Sequence, residues 1–267
     1  MTQTETHPWH AVLDDLIGHV QYLHEKGDRI IAGSPTLLAA LGAAASQTNR
    51  PLSISVDNSR LESTKIDANR PPSTAIENPS EKLSALHASI ASCSLCPLSQ
   101  TRRHAVPGQG NANAPDILFI DESPAPEDDA TGVAAAPGAH GDLLRKMISA
   151  MGYTPEQVFI TSVCKCFPPD APRPAQESLE ACRPHLDAQI KLLRPKAIVL
   201  LGAGATMALL KQSAGSAVAK SLGVWTRYNN IPVMPTYAPG FMLKFPAVKK
   251  HAWQHLQTVM RHLGKVK

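Results

Sequence analysis

The stretch Ile117-Leu118-Phe119-Ile120-Asp121-Glu122-Ser123-Pro124-Ala125-Pro126-Glu127-Asp128-Asp129 decides how this chain is read. An unbroken apolar run that passes straight into acidic residues and prolines predicts a short buried strand ending in a loop. The signature recurs in Val158-Phe159-Ile160-Thr161, Ala197-Ile198-Val199-Leu200-Leu201 and Ile231-Pro232-Val233-Met234. Helical spacing covers the segments near 140–151, 175–193, 203–211 and 247–263. This alternation predicts an α/β domain with a central, mostly parallel four-stranded sheet covered by helices on both faces. Ligands of such sheets collect at the carboxyl ends of the strands. The loops to search for chemistry are therefore Asp121 to Asp129, Ser162 to Pro169, Gly202 to Ala205 and Thr236 to Phe245.

Before this domain the pattern is different. Residues 8–26 read as an amphipathic helix, with Trp9, Val12, Leu13, Leu16, Ile17, Val20 and Leu23 at helical spacing and Gly27 as a stop. A second helix is expected from Ser34 to Ala45, after a Ser34-Pro35-Thr36 start. Residues 46–80 are rich in Ser, Asn, Pro and Thr and read as a disordered linker. The expected division is a helical extension over 1–45, a linker over 46–80 and the α/β domain over 81–267. Met1 to His7 lacks the basic start and apolar segment of a secretion signal, and no apolar run is long enough to span a membrane. A cytoplasmic, monomeric protein is the expectation. The net charge of +4 permits a nucleic-acid partner without requiring one.

Cys93 and Cys96 form a C-x-x-C pair, and Cys166 and Cys182 lie far downstream in Pro-rich surroundings. In a reducing compartment, thiols spread over several segments point to a metal or iron–sulfur site rather than to disulfides. The acidic loop offers Glu122 and Asp128 to orient a water or act as a base, and equally offers caps for the following helix. Phe241, Met242, Leu243 and Lys244 form an apolar tip beside a cation, suited to wedging into stacked bases or to packing on its own domain.

Taken in order, C-x-x-C, E-S-P-A-P-E-D-D, I-T-S-V-C-K-C-F-P-P, E-A-C-R-P-H-L, P-K-A-I-V-L-L-G and T-Y-A-P resemble the family 4 uracil-DNA glycosylases. The resemblance runs from Leu86 to Leu263, roughly two-thirds of the chain. It implies a three-layer α/β/α sandwich, DNA as partner in single- or double-stranded form, and a [4Fe–4S] cluster on Cys93, Cys96, Cys166 and Cys182, with Cys164 a buried bystander. A structural zinc is the rival reading of these thiols, disfavoured because the downstream pair is not closely spaced. Arg102, Arg103 and Lys165 are then candidates for DNA-backbone contacts, with Phe241 to Lys244 as the wedge.

The family's pocket groups transfer unevenly. Glu122 matches a family Glu, and Asp128 stands where a second Glu is common, but Asp121 and Ala125 replace glycines. Ser123, Ala135, Ala136 and Ser162 are the expected base-pocket residues; Ala134-Ala135-Ala136-Pro137 offers no stacking ring, Ser162 replaces an Asn, and Ala238 replaces a His. Loss of one donor to developing negative charge costs about 10²–10³ in rate. Loss of stacking removes about 1–3 kcal/mol per base. The reading is a DNA-binding iron–sulfur protein of base-excision repair with a degenerate pocket and weak or no uracil excision. Two alternatives stay open: an active glycosylase for uracil or another deaminated or modified base, and an interaction module that docks a protein partner through the N-terminal helix.

Overall fold

Each of the four apolar runs forms a strand, and the alternation of side chains along them explains why they are almost wholly apolar. The computed structural model describes residues 79–154, 156–170, 173–211 and 216–265. The expected helices over 8–26 and 34–45, the interaction stripe from Trp9 to Leu23 and nearly all of the 46–80 linker lie outside these residues. The strands are β1 Gln109–Gly110, β2 Ile117–Asp121, β3 Val158–Ser162, β4 Ala197–Leu201, β5 Thr226–Tyr228 and β6 Ile231–Thr236, and the sheet runs β1-β3-β2-β4-β6-β5. The helices are α1 Pro79–Ala91, α2 Leu98–Thr101, α3 Pro126–Thr131, α4 Ala139–Ala150, α5 Gln176–Leu193, α6 Gly202–Leu210, α7 Ser216–Ser221, α8 Pro239–Lys244 and α9 Lys249–His262.

In β2, Ile117 and Phe119 pack with Leu144, Met147 and Ile148 of α4 and Leu256 and Val259 of α9. Leu118 and Ile120 point the other way, to Leu83 of α1, Leu186 and Ile190 of α5 and Leu209 of α6. Val199 and Ile198 of β4 divide in the same way. A strand buried on both faces needs apolar side chains at every position, so it reads as a continuous run. The result is the expected three-layer arrangement.

The sheet has six strands rather than four. The central β3, β2, β4 and β6 are parallel, and β1 and β5 add antiparallel edges. Both additions are short and partly exposed, which leaves no apolar run to detect. The β5–β6 hairpin turns through Asn229 and Asn230, at φ 47° and 67°, the left-handed conformation that asparagine tolerates in two-residue hairpin turns.

Register sets the site. Asp121 pairs with Ser162 at the ends of β2 and β3. The pairing continues past the strands, with Val163 N–H donating to Asp121 O (2.8 Å) and Cys164 N–H to Glu122 O (2.9 Å). The acidic loop and the cysteine-bearing loop are thus laced together at the carboxyl ends of β2 and β3.

Candidate active site

A small cavity opens at these strand ends, lined by Asp121, Ser123, Asp128, Ala135, His140 and Ser162 among others, with a volume of ≈ 20 Å³. That is room for water rather than for a nucleobase. Three of the four expected pocket residues, Ser123, Ala135 and Ser162, line it, and so does Asp128. Ala136 is buried just behind, its N–H donating to Asp128 Oδ1 at 2.7 Å, and Glu122 and Ala238 are not among the lining residues.

Asp128 is committed to the loop. Its second oxygen, Oδ2, accepts from Ala125 N–H at 3.0 Å. Burial pushes its carboxyl up and the two backbone donors pull it down, with a net upward shift. With both oxygens used, it fastens the start of α3 to the alanine segment. That segment is pinned elsewhere too: Gln109 Nε2 donates to Ala134 O at 2.5 Å, Arg145 donates to Ala135 O, and a β-carbon on Gly141 would meet Ala136 O at 2.0 Å.

Glu122 points to a different neighbourhood. Arg173 holds its carboxylate in an ion pair at 2.8 Å, and Gly204 in the first turn of α6 leaves it space, since a β-carbon there would fall 2.0 Å from Cδ. The open amino end of α6 favours a negative charge. The expected water-orienting carboxylate is therefore neutralised by a guanidinium.

Ser162 donates its hydroxyl to Cys164 O at 2.7 Å, so toward a ligand it can only accept. Asp121 and His140 were missing from the expected site, and the structure pairs them: His140 Nε2 lies 3.0 Å from Asp121 Oδ2. The sequence signal for Asp121 was its replacement of a family glycine at a strand end. His140 carried none, because it opens a helix whose positions read as core.

Lys165, expected as a DNA-backbone contact, does not face solvent. It is 1 % exposed, and Nζ donates to Thr161 Oγ1 (2.7 Å), Ser162 O (2.5 Å) and Gln189 Oε1 (2.7 Å). Burial lowers its pKa to about 7. Arg102 is likewise turned inward: it donates to Cys166 Sγ at 3.1 Å and to the carbonyls of Ala91 and Cys93. Arg103 is exposed, with its N–H donating to Asp129 Oδ1 at 3.0 Å. Of the proposed wedge, Met242 is buried in the core and Phe241 packs against it, while Leu243, Lys244 and the unforeseen Phe245 face outward.

Cys93, Cys96, Cys166 and Cys182 line one cavity together with Arg102, Lys165 and His185. All five cysteines are free thiols. Lys165 N–H donates to Cys182 Sγ at 3.5 Å and Arg102 to Cys166 Sγ, so two of the four thiols already receive donors that suit a thiolate. The Cys164 thiol bonds to Cys182, which holds Cys182 down to about 6 and pushes Cys164 up. Among the described residues no three His, Cys, Asp or Glu side chains are grouped tightly enough for a single metal ion. What the structure offers is four thiols from three segments lining one cavity, a set of soft donors of the type iron–sulfur sites use. Nor is any described helix long and apolar enough to cross a membrane.

Residues 107–257 match the model of the uracil DNA glycosylase superfamily. Among curated proteins, the type-4 uracil-DNA glycosylase of Sulfurisphaera tokodaii is 37% identical over 177 residues, covering 64% of this chain and 80% of that protein. Those of Saccharolobus solfataricus and Thermotoga maritima are 37% and 34% identical, covering 60% and 58% of this chain and 77% and 80% of theirs. With its sheet order, its paired loops at the carboxyl ends of β2 and β3 and these similarities along more than half its length, the chain belongs to the uracil DNA glycosylase superfamily, as a divergent relative of its type-4 members.

Proposed function

We propose that this protein is a DNA-repair glycosylase that hydrolyses the N-glycosidic bond of a damaged or deaminated base and excises uracil only weakly. The observation that carries this reading is the rebuilt cavity. Methyl groups of the alanine segment stand where a stacking ring is expected, Ser162 offers only acceptor lone pairs, and Glu122 is tied to Arg173. A pocket built on acceptors discriminates against a base whose edge needs donors, because the unmatched groups lose their hydrogen bonds on burial.

DNA is the substrate in this reading. Arg103, Leu243, Lys244 and Phe245 are the outward-facing groups left to meet it after Lys165, Arg102 and Met242 are withdrawn. Cys93, Cys96, Cys166 and Cys182 hold a [4Fe–4S] cluster that ties the segment after α1, the loop after β3 and α5 together. When bound, the cluster supplies an iron–sulfur centre capable of one-electron chemistry as well as a cross-link. The protein acts in the cytoplasm.

The test is a single-turnover screen on oligonucleotides that carry uracil, deaminated purines or oxidised pyrimidines, in single and double strands. The expected result is excision of a base other than uracil, with uracil slower by about 10²–10³. Uracil removed at the same rate as by the Sulfurisphaera tokodaii relative contradicts the reading.

A further inference from the structure

His140 reaches the cavity from α4, while the histidine expected of this family is replaced by Ala238 just before α8. The ring spans the gap between these two elements. Nε2 faces Asp121 Oδ2 at 3.0 Å, and Nδ1 lies 3.7 Å from where a β-carbon of Gly240 would stand. Gly240 belongs to the first turn of α8, two residues beyond Ala238. A β-carbon there would stand in ordinary van der Waals contact with the ring, so the two elements approach closely at this point.

We propose that His140 supplies, from a different element, the cationic hydrogen-bond donor that Ala238 cannot provide, and so stabilises the anion of the departing base. Asp121 is the positioning residue that holds the ring. This rests on the reading of the protein as a glycosylase. Among the described residues no acceptor holds Nδ1, so an imidazolium keeps one N–H for a ligand while Nε2 faces the Asp121 carboxylate at ion-pair distance.

The charges around the ring act in the same sense. Burial disfavours the imidazolium, but the hydrogen bond and charge of Asp121 from β2, with Asp128 and Glu127 from α3, outweigh it and raise the His140 pKa above the ordinary value. The α8 residue beside the ring, Gly240, brings no charge. The same ion pair lines a water-sized cavity, so a base enters only as the surrounding side chains yield.

The chemistry balances without another reactant. The C1′–N bond breaks with its electron pair leaving on the base, and a water oxygen bonds to C1′. That water gives one proton to solvent, and the base takes one from solvent. His140 keeps its proton throughout and lowers the barrier through its charge and one hydrogen bond.

The decisive experiment measures single-turnover excision across pH for the full chain and for His140→Ala, His140→Gln and Asp121→Asn, on the base that the wild type removes fastest. Binding to an abasic-analogue oligonucleotide is measured in parallel. Both His140 variants should be slower by about 10²–10³ at pH 6.5 with analogue binding within about threefold. The wild-type rate should fall as pH rises through the His140 pKa, and Asp121→Asn should move that fall to lower pH. The pH dependence is a readout that lost packing does not produce. Variants as fast as the wild type, or faster because the pair only obstructs the pocket, overturn the inference and leave the glycosylase reading standing. A wild type that excises no base overturns both.

Discussion

Two regions share one loop and have diverged differently. Between Ser162 and Cys166 the chain passes from the cavity beneath Asp121 to the cavity lined by Cys93, Cys96, Cys166 and Cys182. On the cysteine side the four expected cysteines line one cavity, and two of them, Cys166 and Cys182, receive a donor at sulfur. On the cavity side, four residues away, the expected stacker, edge reader and anion stabiliser are replaced, and an Asp–His pair lines the cavity. Lys165 lies between, its N–H toward Cys182 Sγ and its Nζ toward Ser162 O. A scaffold held from one side tolerates rebuilding on the other, because the loop's backbone is fixed by bonds that do not depend on the pocket's side chains.

The largest predicted effect breaks the cysteine side. Cys182→Ser should abolish the visible absorbance of the purified protein and cost several kcal/mol of stability, since metal-site binding energy is also folding energy. Absorbance spectra and thermal melts check this; an unchanged spectrum contradicts the four-thiol assignment.

Next is the residue between the regions. Lys165→Met removes the ammonium that donates to Ser162 O, Thr161 Oγ1 and Gln189 Oε1 and should destabilise by on the order of 3 kcal/mol. Denaturant titration reads the loss. A variant of normal stability with weakened DNA binding favours the phosphate-contact role over this buried one.

On the cavity side, Ala136→Phe should not restore a stacking ring. Ala136 is buried, its carbonyl is packed against Gly141 and its N–H is held by Asp128, so the added ring overpacks at a cost of about 1–3 kcal/mol. A stable variant with faster uracil excision contradicts the description of that loop. Removing Leu243 and Phe245 together to Ala should weaken DNA binding by about 1 kcal/mol, roughly fivefold in Kd, with melting unchanged.

The smallest effect is pH-dependent. The raised His140 pKa contributes stability that is fully present below the unfolded histidine value and is lost as pH rises through the folded value. The stability gap between wild type and Asp121→Asn should therefore narrow as pH rises from 6 to 9. A gap that widens has the wrong sign for this pair.

The fold was legible because β2, β3, β4 and β6 are buried on both faces and advertise it as apolar runs. The edges β1 and β5 were not, since short, half-exposed strands carry no such run. The cysteines were legible as residue types with spacing. Orientation was not. Glu122 follows β2 and Asp128 lies in the first turn of α3, six residues on, yet an arginine from position 173 and two backbone N–H groups decide what each can do. Lys165 looked like a surface cation because a sequence does not show that Gln189 and Thr161 converge on its Nζ. His140 was hidden among the core-facing positions of α4, and only the packing of α8 and β2 around its ring brings it to the cavity.

The central claim is that the cavity side has been rebuilt on an intact scaffold. It is tested most directly by measuring single-turnover uracil excision side by side with the Sulfurisphaera tokodaii relative, on the same single-stranded oligonucleotide and with the cluster absorbance recorded for both. The account predicts equal cluster absorbance per chain and uracil excision slower here by at least about 10². Equal absorbance with equal rates contradicts it.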